Sequence, residues 1–251
     1  MKSGDGEKTR PEQLIEHIAR YGLTLRAVAG RLFCDGSASK TENLFAKLLE
    51  QKRIVAFSLS KAPRLSYYRL SEKESARLGL TPTAGRLSGR TALQAIALLR
   101  FCFPDAPTVK RAKISAATVS SKLGFPFKSL DASYVVQRHP EQYFGRVVVP
   151  GSQARPEYAL KIIRLETMYW LRFPEAEHWL STGALRFVVL LHSPPRVVQF
   201  TEALAAARER KTLPAEVRID LEYVPDPLAA QPAAKPRART ATHEQRNTTP
   251  R

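Results

Sequence analysis

In "ASKTENLFAKLLEQK", residues 38–52, the polar residues Ser39, Lys40, Glu42, Asn43 and Lys47, with Thr41 among them, interleave with Leu44, Phe45, Leu48 and Leu49. That spacing predicts a helix burying its apolar stripe and leaving the polar set at its front and side. Thr41 and Asn43 are short donors and acceptors suited to base edges in a major groove, whereas Lys40 and Lys47 suit phosphate oxygens. Downstream, "IVAFSL" (54–59) and "SYYRL" (66–70) have strand composition, and the intervening "SKAPR" projects Lys61 and Arg64 from a tip.

Two further helices are needed to hold such a surface. Pro11 opens the first, with Leu14, Ile15, Ile18 and Ala19 on one face and Gly22 as its stop. Thr24 reads as the N-cap of the second, which carries Leu25, Val28, Ala29 and Leu32 inward before "CDGS" turns the chain. Three helices followed by a hairpin predict a winged helix-turn-helix, with the third helix entering a major groove and the basic tip lying on the flanking backbone.

Charge points the same way. Of the formal +17, residues 1–80 hold 15 Lys/Arg against 9 Asp/Glu, 81–128 hold 8 against 1, 129–228 hold 12 against 12, and 229–251 hold 5 against 1. A cationic excess in a folded amino-terminal half favours polyanions, because each neutralised phosphate releases a condensed counterion. Double-stranded DNA is the expected partner; a basic solubility surface and an anionic-membrane binder are the alternatives.

Other chemistry finds little support. His17, His139, His178, His192 and His243 form no pair at metal-ligand spacing, and "TAGRLSGRT" lacks the Lys-Ser/Thr ending of a phosphate loop. Tyr67, Tyr68, Tyr143, Tyr158 and Tyr169 read as strand or core aromatics before nucleophiles, and Trp170 and Trp179 as packing or a dimer surface. Two cysteines, Cys34 and Cys102, in apolar surroundings suggest a reducing compartment. The start, "MKSGDGEKTRPEQ", has no apolar core and no run approaches eighteen apolar residues, so neither a signal peptide nor a membrane span is predicted and a cytoplasmic protein is expected.

The expected division is a flexible start (1–10), the winged helix (11–80), a Gly/Thr/Ser-rich linker (81–92), an α/β domain (93–226) and a disordered basic tail (227–251). Within the second domain a helix is expected at about 91–103, then a basic stretch, 105–129, in which "AATVSSKLG" suits a short helix. Strand candidates are "LDASYVVQ" and "YFGRVVVPG", the buried run "ALRFVVLLHS" (184–193) and the alternating "EVRIDLEYV" (216–224); helices are expected at 156–173 and 196–211. The fold class is α/β, α+β overall, in two or three layers.

"YYRLSEKESARLGL", in which a wing strand leads into a closing helix, resembles the DNA-binding module of the replication-relaxation family of mobile-element proteins. "LDASYVV", "FGRVVVPGSQARPEYALKIIRLETMYW" and "ALRFVVLLHSPPRVVQFTEAL" resemble, in order and spacing, that family's carboxyl domain. The likeness spans about residues 12–222. It implies a restriction-endonuclease-like fold, similar to small plasmid relaxases, in which an Asp at one strand and an acidic residue in the next hold a divalent metal. Asp131 matches the first position; "RVVVPG" lacks the second, and Lys161 lies on the following helix where a basic residue is common.

One carboxylate is a poor site for a hard cation. The domain is therefore expected to be degenerate, with no metal or cofactor, and the chain to be more a binding protein than an enzyme. The expected function is sequence-specific binding of double-stranded DNA by an accessory or regulatory factor of a plasmid or integrative element, in mobilisation, conjugal transfer or replication. A homodimer or a relaxosome protein is the expected protein partner. The alternative is an active relaxase or nicking endonuclease using Mg²⁺ or Mn²⁺ through Asp131 and Lys161.

Overall fold

A computed structural model describes residues 8–59, 62–81, 85–105, 109–127, 133–139, 141–151 and 153–226, with the backbone alone at 62–64. Its first helix, α1 (Arg10–Tyr21), starts where the Glu12 carboxylate accepts hydrogen bonds from the Thr9 amide at 3.0 Å and hydroxyl at 2.8 Å. Gly22 ends it at φ 80°, the left-handed conformation that glycine adopts without penalty. Thr24 does not cap the second helix. With Leu25 it forms a short strand, β1 (Thr24–Leu25), paired to Tyr68 and Tyr67, and its buried hydroxyl lies 3.1 Å from His17 Nε2. Leu25 is the N-cap of α2 (Arg26–Phe33).

Ser37 caps α3 (Ala38–Glu50), accepting from the Lys40 amide at 3.3 Å. Strands β2 (Ile54–Leu59) and β3 (Ala62–Leu70) then pair antiparallel from Ile54↔Leu70 to Leu59↔Ala62, completing a three-stranded sheet of order β1-β3-β2. The second arm thus starts at Ala62, four residues before the expected 66–70 segment. Helix α4 (Glu72–Arg77) closes the module. Its buried Glu74 is held by Arg53 and Arg77, each at 2.7 Å, and these guanidiniums bring its carboxyl down to about 2 against the opposing effect of burial.

The span 81–92, expected as a linker, is partly helical and partly fastened. Arg69 donates to the Gly85 carbonyl, Arg86 to that of Ser58 at 2.8 Å, and the Leu87 amide donates to Tyr67 Oη at 3.1 Å. Helix α5 (Gly89–Cys102) follows at once. It buries Ala92, Ile96, Leu99 and Phe101 in a core shared by Tyr21, Leu25, Val28 and Tyr67 on one side and Val135, Val147, Val188 and Leu190 on the other. The two halves therefore share apolar packing.

A five-stranded sheet makes up the second half: β4 (Lys110–Ile114), β5 (Ser133–His139), β6 (Tyr143–Val148), β7 (Leu185–Leu191) and β8 (Ile219–Tyr223), in that spatial order. The first three run antiparallel to one another, and β6-β7-β8 are parallel. Helices α6 (Ala116–Leu123), α7 (Pro156–Trp170), α8 (Pro174–Ser181) and α9 (Pro194–Glu209) supply the cross-overs and the apolar layer on one face. With α5 on the other face there are three layers. All seven residues of β7 are buried, as expected of a strand covered on both faces, and this includes the one charge in the run, Arg186, which Glu141 and Asp220 meet at 2.9 and 3.3 Å. Strand β4 lies at the sheet edge, where the Lys113 amide donates to Tyr21 Oη at 3.2 Å and so ties α1 to the second sheet.

Thr167 sits on the inner face of α7 with its Oγ1 buried and, among the described residues, without a hydrogen-bond partner. A buried hydroxyl that makes no hydrogen bond costs free energy that an isosteric methyl does not. Thr167→Val is expected to stabilise the fold by about 1 kcal/mol in urea titration; a loss instead would mean that the hydroxyl is satisfied in solution.

Candidate nucleic-acid interface

Helix α3 crosses α2 closely because Gly30 has no side chain. A Cβ there would stand 2.8 Å from Thr41 Oγ1. The Thr41 hydroxyl is turned back to donate to the Ser37 carbonyl at 2.7 Å, and the residue is only 4% exposed. Thr41 is therefore a packing residue, which corrects its expected place on the recognition surface. Gly30→Ala is expected to cost roughly 1–3 kcal/mol by overpacking this crossing, whereas Thr41→Ser should be tolerated; equal stability of Gly30→Ala and wild type in urea would show that the helices can separate freely.

Ser39, Lys40, Asn43 and Lys47 are exposed together on the outer face of α3. Lys40 Nζ lies 3.7 Å from Asp35, which also lies 3.8 Å from Arg10; these are loose surface pairs, readily exchanged for a phosphate. Lys47 makes no ion pair among the described residues. Lys61 lies outside the described residues, and so does the side chain of Arg64, whose backbone belongs to β3.

Arg26, at the start of α2, is a residue that sequence reasoning missed. Its guanidinium pairs with Glu42 at 2.7 Å and donates to Tyr68 Oη at 2.7 Å while lying over the rings of Phe45 and Tyr68 at 5.6 and 5.5 Å. It thereby fixes α3 against β3 and neutralises the carboxylate beside Asn43, so Glu42 does not cancel Lys40 and Lys47. No pattern in the chain advertises this bridge across the module.

Of the two residues proposed for metal chemistry, only Lys161 is among the described residues. Asp131 lies outside the described residues, and Lys161 is exposed on α7 without an ion-pair partner among them. On β6, Arg146 occupies the face under α7 and grips Glu166 through two hydrogen bonds of 2.8 and 2.7 Å, with side-chain exposures of 12% and 20%. Tyr134, opposite Arg146 in the β5–β6 register, has its ring centroid 5.7 Å from that guanidinium; burial, with Glu166 nearby, raises the phenol. A carboxylate already engaged by a guanidinium is a poor ligand for a hard cation. Among the described residues, no group of three or more His, Cys, Asp or Glu is placed to hold a metal ion.

His192 ends β7 with Nδ1 3.2 Å from the Val224 carbonyl, a strand-end role. Both cysteines are buried and unpaired, and burial pushes the Cys102 thiol up to about 12. Among the described residues no helix is long and apolar enough to cross a membrane. Comparison with known proteins finds no matching family model, no matching curated protein and no matching solved structure.

Proposed function

We propose that this chain is a sequence-specific double-stranded DNA-binding protein, an accessory or regulatory factor of a plasmid or integrative element of the kind the replication-relaxation family represents. The observation that carries this is the α3 face: Ser39, Lys40, Asn43 and Lys47 are exposed on one side of a capped helix, with the nearby Glu42 neutralised by Arg26. Three helices with a three-stranded sheet suit a winged helix, and the excess of Lys and Arg in residues 1–128 suits a phosphate backbone.

Fluorescence anisotropy with duplexes drawn from DNA flanking the gene, against random duplex, tests this. Asn43→Ala is expected to cost roughly 1–3 kcal/mol on the preferred duplex and little on random DNA. Lys40→Ala with Lys47→Ala should weaken both and lower the salt slope by about one unit for each phosphate no longer neutralised. Absence of any duplex preference in wild type, or an unchanged slope in the double variant, would sink the proposal.

A metal-dependent nicking activity is the second reading. It draws on the succession of α5, the antiparallel β4-β5-β6, α7 and the parallel β7, an order compatible with a restriction-endonuclease-like domain. Against it stands Arg146 on β6, paired to Glu166 where a ligand-bearing carboxylate is wanted. We therefore read that domain as a degenerate one that contacts partners, and expect a supercoiled plasmid to stay intact with Mg²⁺ or Mn²⁺. Nicking abolished by Asp131→Ala would promote the relaxase.

A further inference from the structure

Helix α7 and the turn after it expose Tyr158 at 55%, Leu165 at 54%, Met168 at 55% and Leu171 at 46%. Tyr158, Leu165 and Met168 fall on one side of the helix, with half-buried Ile162 and Tyr169 beside them. A cavity of about 390 Å³ opens along this ridge, lined by Tyr134, Leu165, Glu166, Met168, Trp170 and Arg172, among others. The other exposed large apolar residues among those described, Leu32, Val55, Leu80, Val198 and Tyr223, each stand on a different element or loop. A ridge of this kind beside an open socket marks an interaction surface.

Charge selects the occupant. Lys161, Arg164 and Arg172 stand on the same helix and its following turn and make no ion pair among the described residues; of the two carboxylates of α7, Glu166 is held by Arg146, and the exposed Glu157 still leaves an excess of cations. A second copy would bring the same excess of cations against itself. The carboxyl tail carries 5 Lys/Arg against 1 Asp/Glu in residues 229–251, again the same sign. Leu165, Met168 and Leu171 are aliphatic, so a nucleic acid would leave them without apolar cover.

We propose that the exposed face of α7 docks an acidic amphipathic helix of another protein, which seats an apolar side chain in the cavity beside Tyr134 and Trp170 and sets carboxylates against Lys161, Arg164 and Arg172. This surface lies on a different element from α3 and does not depend on DNA binding.

The test uses the full chain and a fluorescein-labelled synthetic helix whose Leu residues recur at helical spacing between Glu residues. Its scrambled isomer and its Lys-for-Glu counterpart are expected to bind at least about tenfold more weakly, and Leu165→Asp, with circular dichroism unchanged, to lose about tenfold. Lys161→Glu with Arg172→Glu should invert the preference towards the Lys peptide. Equal binding of the scrambled peptide, or no effect of Leu165→Asp, would overturn the proposal. So would displacement of the helix by anionic phospholipid vesicles or by a single-stranded oligonucleotide, or a wild-type dimer in sedimentation that Leu165→Asp dissociates.

Discussion

Glu166→Ala is expected to destabilise the chain by about 3 kcal/mol, the low end of what breaking a buried ion pair costs. The low end applies because the partners retain 12% and 20% exposure. Arg146 also donates to the Val147 carbonyl, but Glu166 occupies its Nε and Nη2, and without it those donors face the Tyr134 ring and an apolar layer. Most of the loss is thus the cost of an uncompensated cation. Arg146→Met with Glu166→Leu removes both charges and keeps most of the volume, so it should recover most of the wild-type stability. A cycle in which Glu166→Ala costs well under 1 kcal/mol would show that the pair is solvated, and would free Glu166 for a different role.

This pair also marks where the sequence stops being legible. Leu44, Phe45 and Leu48 report α3 directly, because an amphipathic helix writes its buried face into its own spacing. The apolar run of β7 does the same for a strand covered on both sides, although it does not show that Arg186 within it is buried against Glu141 and Asp220. Arg146, by contrast, reads in sequence only as the absence of a carboxylate; its partner is on another element, and no local periodicity links them. Thr41 fails for the same reason, since its burial depends on Gly30 of α2.

Strand β4 was hidden by its charges. In "KRAKI" the Arg111 guanidinium lies 3.9 Å from the Phe101 ring centroid and pairs with Glu222 at 3.1 Å, so a residue that looks solvent-facing covers α5. Thr24 and Leu25 are too few to show a strand pattern, and their pairing becomes visible only once β3 lies beside them. Helix α8 was missed for its length: "PEAEHWLS" offers barely two turns of periodicity.

Acidification should loosen the chain at His17 before it reaches most carboxylates. The imidazole is 8% exposed, with Nε2 3.1 Å from Thr24 Oγ1 and its ring against Tyr21, Phe33 and Phe103, so it touches α1, α2, β1 and the end of α5 together. Burial, reinforced by the nearby Arg20 charge, brings its pKa down to about 4 from 6.5. Below pH 6.5 the unfolded chain binds a proton at this position that the folded chain refuses, so stability falls as pH falls. The loss is about 2 kcal/mol at pH 5 and about 3 kcal/mol by pH 4. Glu74 acts in a lower window, since its carboxyl sits at about 2 and its contribution is lost only as pH drops below the ordinary carboxylate value. His17→Gln gives up ring packing, so it should be less stable at neutral pH, yet its urea midpoint should change much less than wild type between pH 6.5 and 5. Parallel midpoint curves for the two proteins would show that His17 takes up its proton without opening the packing between α1 and α5, and the acid sensitivity would then belong to other groups.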